Sequence, residues 1–413
     1  MKILTLLIPA SFIIFFFSCS DTMVNYSDVS GKIYIYDYYP AANVKVTIGD
    51  AVTRTGADGS FAFKNISYPY NLTVLDSMST NVFVYKNLST DKVNLTIGDY
   101  SGAFYSAAIE VNVPDSLIGN HLKGKLIFTD GQYVNACKSI SGNSNTTLYL
   151  SFPDNEPVSG KVILLTYKID NSGKIISYEN FGVKNNFNVH PGILNQCAFD
   201  SADIAFNPGE QTVTGSINFP SGYKNYFSDF YLSFTDKKIL FNGFNDYNFQ
   251  TFSGSVFSII IPAGISEPFN TFASSNCNGP LGYSLEGFKV LPNSSNILEF
   301  NLPSEIISPE SFATNVNNST LFSYSKSTGE GIYEIYLKDR SNLADYYITS
   351  SSNVFTLEDI DNSGFGSIRN HNFTWLVRKK GNYNSVNEYV NNTLDNSGWF
   401  YTYSNQHEFS TQP

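Results

Sequence analysis

Val44-Lys45-Val46-Thr47-Ile48 sets an apolar side chain at every second position, with polar ones between. A strand with one buried face requires this period, because successive side chains leave a strand on opposite sides. The period recurs in Ile33-Tyr34-Ile35, in Leu148-Tyr149-Leu150-Ser151-Phe152 and in Ile332-Tyr333-Glu334-Ile335-Tyr336-Leu337. Gly, Pro, Asn and Asp break the runs at short intervals, and no stretch of a dozen residues carries a helical stripe. The pattern predicts an all-β chain built as a row of β-sandwiches.

A length of 413 residues suggests two to four domains. Charged residues make up only 15% of the chain, below the ~25% usual for soluble domains. Hydroxyls and amides therefore supply much of the polar surface. The net charge of −11, with no basic stripe, argues against a nucleic-acid partner. The 34 Phe and 28 Tyr suit strands as readily as ligand platforms.

At the N-terminus Lys2 supplies a positive charge, Ile3 to Phe17 an apolar core interrupted by Pro9, and Phe16-Phe17-Ser18-Cys19 its end. The apolar run is shorter than the ~20 residues of a spanning helix. A small residue followed by Cys here resembles the lipobox of bacterial lipoproteins. The resemblance implies a signal peptide over 1–18, acylation of Cys19 and cleavage just before it. Residues 19–25 then form a polar tether. Multiple acyl chains would hold the protein on a membrane without a transmembrane helix, at about 0.8 kcal/mol per buried CH₂. Ser20, rather than Asp, points to the outer membrane or cell surface.

The segment 26–99 carries Val29-Ser30-Gly31-Lys32-Ile33, Pro40-Ala41-Ala42-Asn43-Val44 and Thr55-Gly56-Ala57-Asp58-Gly59-Ser60-Phe61-Ala62-Phe63. Asp58-Gly59 reads as a tight turn with Gly at positive φ, and Phe61 and Phe63 share one face. The whole stretch resembles the carboxypeptidase regulatory-like domain, a transthyretin-like seven-strand sandwich that serves as an accessory rather than a catalytic part.

Residues 100–208 and 209–303 read as two related sandwiches. Leu126-Ile127-Phe128-Thr129-Asp130 matches Leu232-Ser233-Phe234-Thr235-Asp236, Leu150-Ser151-Phe152-Pro153 matches Ile259-Ile260-Ile261-Pro262, and Phe181 falls opposite Phe288, all at nearly one offset. Residues 304–413, with Phe373-Thr374-Trp375-Leu376-Val377, resemble the fibronectin type III-like domains of bacterial surface lipoproteins. Tyr324 stands where those domains place a Trp, and Trp375 is expected in the core with a partner for its indole N–H.

Candidate chemistry is thin. Beyond Cys19 the chain keeps Cys137, Cys197 and Cys277, none spaced as Cys-x-x-Cys. A Cys137–Cys197 bridge and free buried thiols both remain open. Asp359-Ile360-Asp361-Asn362-Ser363-Gly364 imitates half a calcium loop, but position twelve is Asn370 and the flanks read as strands. Similar turns at Asp170 and Asp395 need only be hairpins. Gly282-Tyr283-Ser284-Leu285-Glu286-Gly287 has one residue too many for a nucleophile elbow. His121, His190, His371 and His407 are scattered, so neither a metal nor a cofactor is indicated. Tyr36-Asp37-Tyr38-Tyr39-Pro40 and Trp399-Phe400-Tyr401-Thr402-Tyr403 could stack on sugars, although half of each aromatic set should pack inward. The leading reading is a non-enzymatic, membrane-anchored surface lipoprotein displaying binding or adhesion modules. A glycan-binding lipoprotein of a polysaccharide-uptake system and a secreted hydrolase with a site not visible as a motif are the alternatives.

Overall fold

The computed structural model describes residues 25–412, except 36–38, 77–79, 98–104, 115–121, 132–133, 142–144, 153–154, 235–247, 253, 328, 330, 341–343, 362–367, 382 and 392–397. Cys19 and the signal sequence lie outside the described residues. The fold is all-β, with sheets layered as sandwiches.

The first strands are β1 (Tyr26–Ile35), β2 (Tyr39–Pro40), β3 (Lys45–Ile48), β4 (Ala51–Arg54), β5 (Ser60–Ser67), β6 (Tyr70–Asp76), β7 (Asn81–Leu88) and β8 (Lys92–Thr96). In one layer β1 pairs antiparallel with β5 and parallel with β8. In the other the order is β4-β3-β6-β7. Val44, Val46 and Ile48 are buried, as their alternation requires. Gly59 takes φ +74 in the Asp58-Gly59 turn, and Phe61 and Phe63 both face the core.

The next set is β9 (Tyr105–Asn112), β10 (Lys123–Thr129), β11 (Asn135–Ser141), β12 (Asn145–Phe152), β13 (Val158–Ile169), β14 (Ile175–Val189), β15 (Leu194–Ala198) and β16 (Ile204–Phe206). It repeats the plan: β12-β9-β15 with β15 parallel, facing β11-β10-β13-β14. So does the third set, β17 (Glu210–Asn218), β18 (Lys224–Ser233), β19 (Asn248–Phe252), β20 (Val256–Pro262), β21 (Asn270–Gly279), β22 (Gly282–Lys289) and β23 (Asn296–Glu299). There β20-β17-β23, again with a parallel last strand, faces β19-β18-β21-β22. Among the described residues, Leu126 and Leu232 fall on β10 and β18, Leu150 and Ile259 on β12 and β20, and Phe181 and Phe288 on β14 and β22, which are topologically equivalent strands.

The plan is thus shared by three sets, and two local devices show how closely. Val29-Ser30-Gly31-Lys32-Ile33 and Val213-Thr214-Gly215-Ser216-Ile217 occupy the same place in β1 and β17. A Cβ on Gly31 would lie 1.7 Å from Val93 O, and one on Gly215 would lie 2.6 Å from Asn296 O. The parallel strand therefore approaches too closely for a side chain. Asn195, second in β15, and Asn296, first in β23, share one hydrogen-bond pattern. Asn195 Oδ1 accepts His190 N–H, and its Nδ2 donates to the carbonyls of Ala108, His190 and Ile193. Asn296 does the same with Leu291 N–H and the carbonyls of Thr214, Leu291 and Ser294.

The last strands are β24 (Ile306–Ser308), β25 (Ala313–Val316), β26 (Leu321–Tyr324), β27 (Ile332–Asp339), β28 (Asp345–Ser350), β29 (Val354–Thr356), β30 (Asn372–Lys380), β31 (Gly398–Ser404) and β32 (His407–Thr411). The β24-β26-β29 layer covers a core in which fully buried Trp375 meets Phe322 and Phe355 edge-on. Tyr324 is buried and donates to Ser352 O at 2.6 Å. The expected partner for Trp375 Nε1 is not found among the described residues.

Three of the four sets merge laterally. β22 pairs antiparallel with β31, and β28 pairs parallel with β7, giving one 14-stranded sheet. Alternation along β7 sends Phe83 and Tyr85 into the first core and Val82 and Val84 into the Trp375 core. The covering layers of the first and last sets consequently lie on opposite faces of the shared sheet. Ile332 and the short helix Val386–Asn391, through Val386 and Val390, enter the first core from the last set. The second set joins the third through side chains, with Ile163, Leu165 and Phe181 in one cluster with Phe230, Leu232 and Ile259.

Asn296 satisfies four backbone groups at once. Asn296→Ala should destabilise the chain by about 2–3 kcal/mol, because it strands buried donors and acceptors. Urea denaturation of wild type and variant measures this directly.

Candidate functional site

One face of the shared sheet carries a stack that crosses both lateral junctions. Phe83 on β7 stacks on Tyr347 of β28, with centroids 4.9 Å apart and planes 14° apart. Tyr347 lies 4.9 Å from Tyr336 on β27. The Arg378 guanidinium on β30 sits 4.7 Å from the Tyr336 centroid and 5.3 Å from that of Tyr403 on β31. Tyr403 then lies 5.8 Å from Tyr283 on β22. Phe83–Tyr347, Tyr347–Tyr336, Arg378–Tyr403 and Tyr403–Tyr283 are direct cross-strand neighbours. The step from Tyr336 to Arg378 is diagonal. Spacings of this size follow from the ~4.8 Å between strands. Phe83 is buried and the four tyrosines of the row are half-buried.

An ion cluster lies beneath it. Glu334 accepts from Arg378 Nη1 at 3.1 Å and Lys380 Nζ at 2.6 Å. Burial alone would raise the Glu334 carboxyl. The Lys380 ammonium and Arg378 guanidinium outweigh that and hold it below the usual carboxylate range. Tyr336 OH donates to Asp345 at 2.7 Å. At the far end, Asn276 Nδ2 donates to Tyr283 OH at 2.8 Å, and Asn276 Oδ1 accepts Phe227 N–H at 3.0 Å. That second bond holds a bulge in β18 between Asn225 and Phe227, which turns Tyr226 outward to 79% exposure. Tyr226 and Phe227 on β18 are thus exposed, near exposed Lys224 and its cross-strand neighbour Asn278.

The expected sites divide accordingly. In Trp399-Phe400-Tyr401-Thr402-Tyr403, Phe400 and Thr402 face inward, while Tyr401 and Tyr403 lie on the stacked face. The side chain of Trp399, residues 36–38 and the side chain of Tyr39 lie outside the described residues, as do Asp395 and His121. The Asp359 and Asp361 side chains and residues 362–364 do too; Glu358–Asp361 forms a helical turn between β29 and β30, the strands that flank this stretch. Asp170 makes the hairpin its sequence suggested, accepting from Ser172 and Lys174 N–H with Gly173 at φ +84. Gly282–Gly287 is part of β22. Its Ser284 is buried and donates to Asn301 O, so it is not a nucleophile elbow. His371 Nδ1 lies 2.8 Å from Asp339. No group of three His, Cys, Asp or Glu is placed to hold a metal among the described residues. Cys137, Cys197 and Cys277 are buried and form no disulfide with one another, the first two lying in different cores, which settles the open alternative. Burial pushes the thiols of Cys197 and Cys277 up to about 11 and about 12, leaving them inert at neutral pH.

No known family profile and no curated protein sequence matches the chain. Among solved structures, it is similar to the Bacillus anthracis TIE protein at 10% identity and a TM-score of 0.17, over 66% of this chain and 49% of that one. It is also similar to a leucine-rich repeat protein from Bacteroides thetaiotaomicron VPI-5482 at 14% identity and a TM-score of 0.14, over 48% of this chain and 26% of the other. The chain thus aligns with about half or less of either relative's length.

Glu334→Gln leaves Arg378 and Lys380 buried without their counter-charge, and should cost about 3–5 kcal/mol. Because the native carboxyl is held low, the stability it contributes is present above the ordinary carboxylate range. It is lost as pH falls through the lowered value. Denaturation curves between neutral and acid pH should therefore converge for the two proteins as pH falls.

Proposed function

We propose that this chain is a non-enzymatic, lipid-anchored surface protein that displays a rigid β-sandwich scaffold for binding or adhesion at a bacterial outer membrane. The supporting observation is the lateral fusion of three sandwiches into one sheet, stapled across both junctions by the Phe83–Tyr347–Tyr336–Arg378–Tyr403–Tyr283 stack. Such a body holds exposed groups in fixed relation, so little entropy is lost when they meet a partner. Cys19 supplies the tether in this reading.

The parallel last strand and three-plus-four layering support a transthyretin-like assignment for residues 26–99. The Val213–Ile217 match favours extending it to 209–303. The β24-β26-β29 layer facing β28-β27-β30 supports the fibronectin type III-like reading of 304–413. A glycan is the second reading of the ligand. It is favoured by the exposed rings of Tyr226 and Phe227 beside Asn278, which could stack on a sugar face and bond its hydroxyls.

Two measurements test this. Radiolabelled palmitate should enter the protein in bacteria and be lost in Cys19→Ser; labelling that survives removes the anchor. In a screen of glycans and host-matrix proteins, Tyr226→Ala combined with Phe227→Ala should weaken binding at least about tenfold with folding intact. Hydrolysis of a polysaccharide or peptide, abolished by one carboxylate substitution, would replace the display reading with an enzyme.

A further inference from the structure

Alternation along β30 sends Arg378 and Lys380 to the stacked face and Lys379 to the other. There Lys379 is fully buried in the seam between the third and last sets. Its Nζ donates to Gly329 O at 3.0 Å and lies 5.4 Å from the Phe400 centroid and 6.0 Å from that of Tyr333. The same seam holds Asn301, from the segment joining β23 to β24, and Glu286 of β22. Glu286 Oε1 accepts from Asn301 N–H at 2.6 Å and from Asn301 Nδ2 at 3.2 Å. The Asn301 carboxamide and the Lys379 amine converge on Gly329. A Cβ built there would lie 2.9 Å from Asn301 Oδ1 and 3.9 Å from Lys379 Nζ, and a positive φ of +85 keeps the position free of a side chain. A primary amine, a carboxamide and a carboxyl thus line one seam, the amine and carboxyl buried and the carboxamide half-buried, beside the Phe400 and Tyr333 rings.

Burial shifts both titratable groups toward the protonation states that amide exchange needs. Burial pushes the Glu286 carboxyl up to about 8, against the hydrogen bonds from Asn301 and the charge of Lys379, so at neutral pH it is largely the neutral acid. Burial likewise lowers the Lys379 amine, against the attraction of Glu286, which enlarges its nucleophilic neutral fraction.

We propose that Lys379 and Asn301 become joined by an intramolecular isopeptide bond, with Glu286 as the catalytic proton donor and acceptor. The neutral Nζ attacks Cγ of Asn301, forming the Nζ–Cγ bond. Glu286, already touching Nδ2, gives it a proton. The Cγ–Nδ2 bond breaks and ammonia departs with that nitrogen. The surplus proton on Nζ returns to Glu286, which is regenerated. One primary amide and one amine become one secondary amide and ammonia, with no oxidant or reductant. The product ties the β23–β24 connection to β30, across the seam that the β22–β31 pairing closes.

The test is a peptide map of the full chain, purified folded, then denatured and digested with trypsin. Expected is a branched peptide joining the Asn301 and Lys379 segments, lighter than their sum by one ammonia, with no cleavage after Lys379. Glu286→Gln and Lys379→Arg should each lack it, and Glu286→Gln, if folded, should melt at a lower temperature than wild type. Unmodified Asn301 and Lys379 in separate peptides of the folded wild type would overturn the proposal. So would an ammonia loss confined to the Asn301 peptide, which is cyclisation without a cross-link. The wild-type map decides the matter even where a variant fails to fold.

Discussion

Every sandwich has open sheet edges, and an unpaired edge is a row of backbone donors and acceptors that must find partners. This chain meets that constraint by turning two such edges into junctions. The β22 edge of the third set takes β31, and the β7 edge of the first takes β28. Much else depends on those pairings. They put Phe83 beside Tyr347 and Tyr403 beside Tyr283, and they bring Glu286, Asn301 and Lys379 into one seam. They also oblige β7 to serve two cores, one on each face, which ties the first set to the last by packing as well as by hydrogen bonds.

The two faces of the shared sheet solve different electrostatic problems. On the stacked face Arg378 and Lys380 share Glu334, and the planar guanidinium fits between two tyrosine rings as an ammonium could not. Such a cluster lends little net stability over an apolar equivalent, yet it is costly to break, so it favours one register over its alternatives. On the opposite face Lys379 is enclosed with a neutral acid and a carboxamide. There burial raises the Glu286 carboxyl and lowers the Lys379 amine, so both move toward the neutral forms that an acyl-transfer reaction between side chains uses.

The repeated sandwich plan also has a backbone cause. Where the last strand runs parallel to the first, the chains come so close that Gly31 and Gly215 have no room for a Cβ. The second set places Ile109 at that point, opposite Asn195. Its last strand is pinned by the Asn195 carboxamide, the device that Asn296 repeats in the third set. Glycine and asparagine thus fix the one parallel pairing in otherwise antiparallel sandwiches.

Read alone, the sequence determined the strands, their inward faces and several turns. Val44, Val46 and Ile48 are buried because period two leaves them no other common side, and the turns at Gly59 and Gly173 follow from local φ preferences. It also indicated that alternate residues of the 399–403 run would face inward, as Phe400 and Thr402 do. A partial signal for the seam was present too, since Arg378-Lys379-Lys380 on a strand must send its middle lysine to the opposite face. What only the tertiary structure decided is which strands become neighbours. Phe83, Tyr283, Tyr336, Tyr347, Arg378 and Tyr403 come from six strands in three different sets, and Glu286, Asn301 and Lys379 from three separate stretches. Alternation is a local property with no memory of partners. Register between distant strands is set by the summed hydrogen bonding and packing of the folded sheet, so sites made by register leave no motif behind.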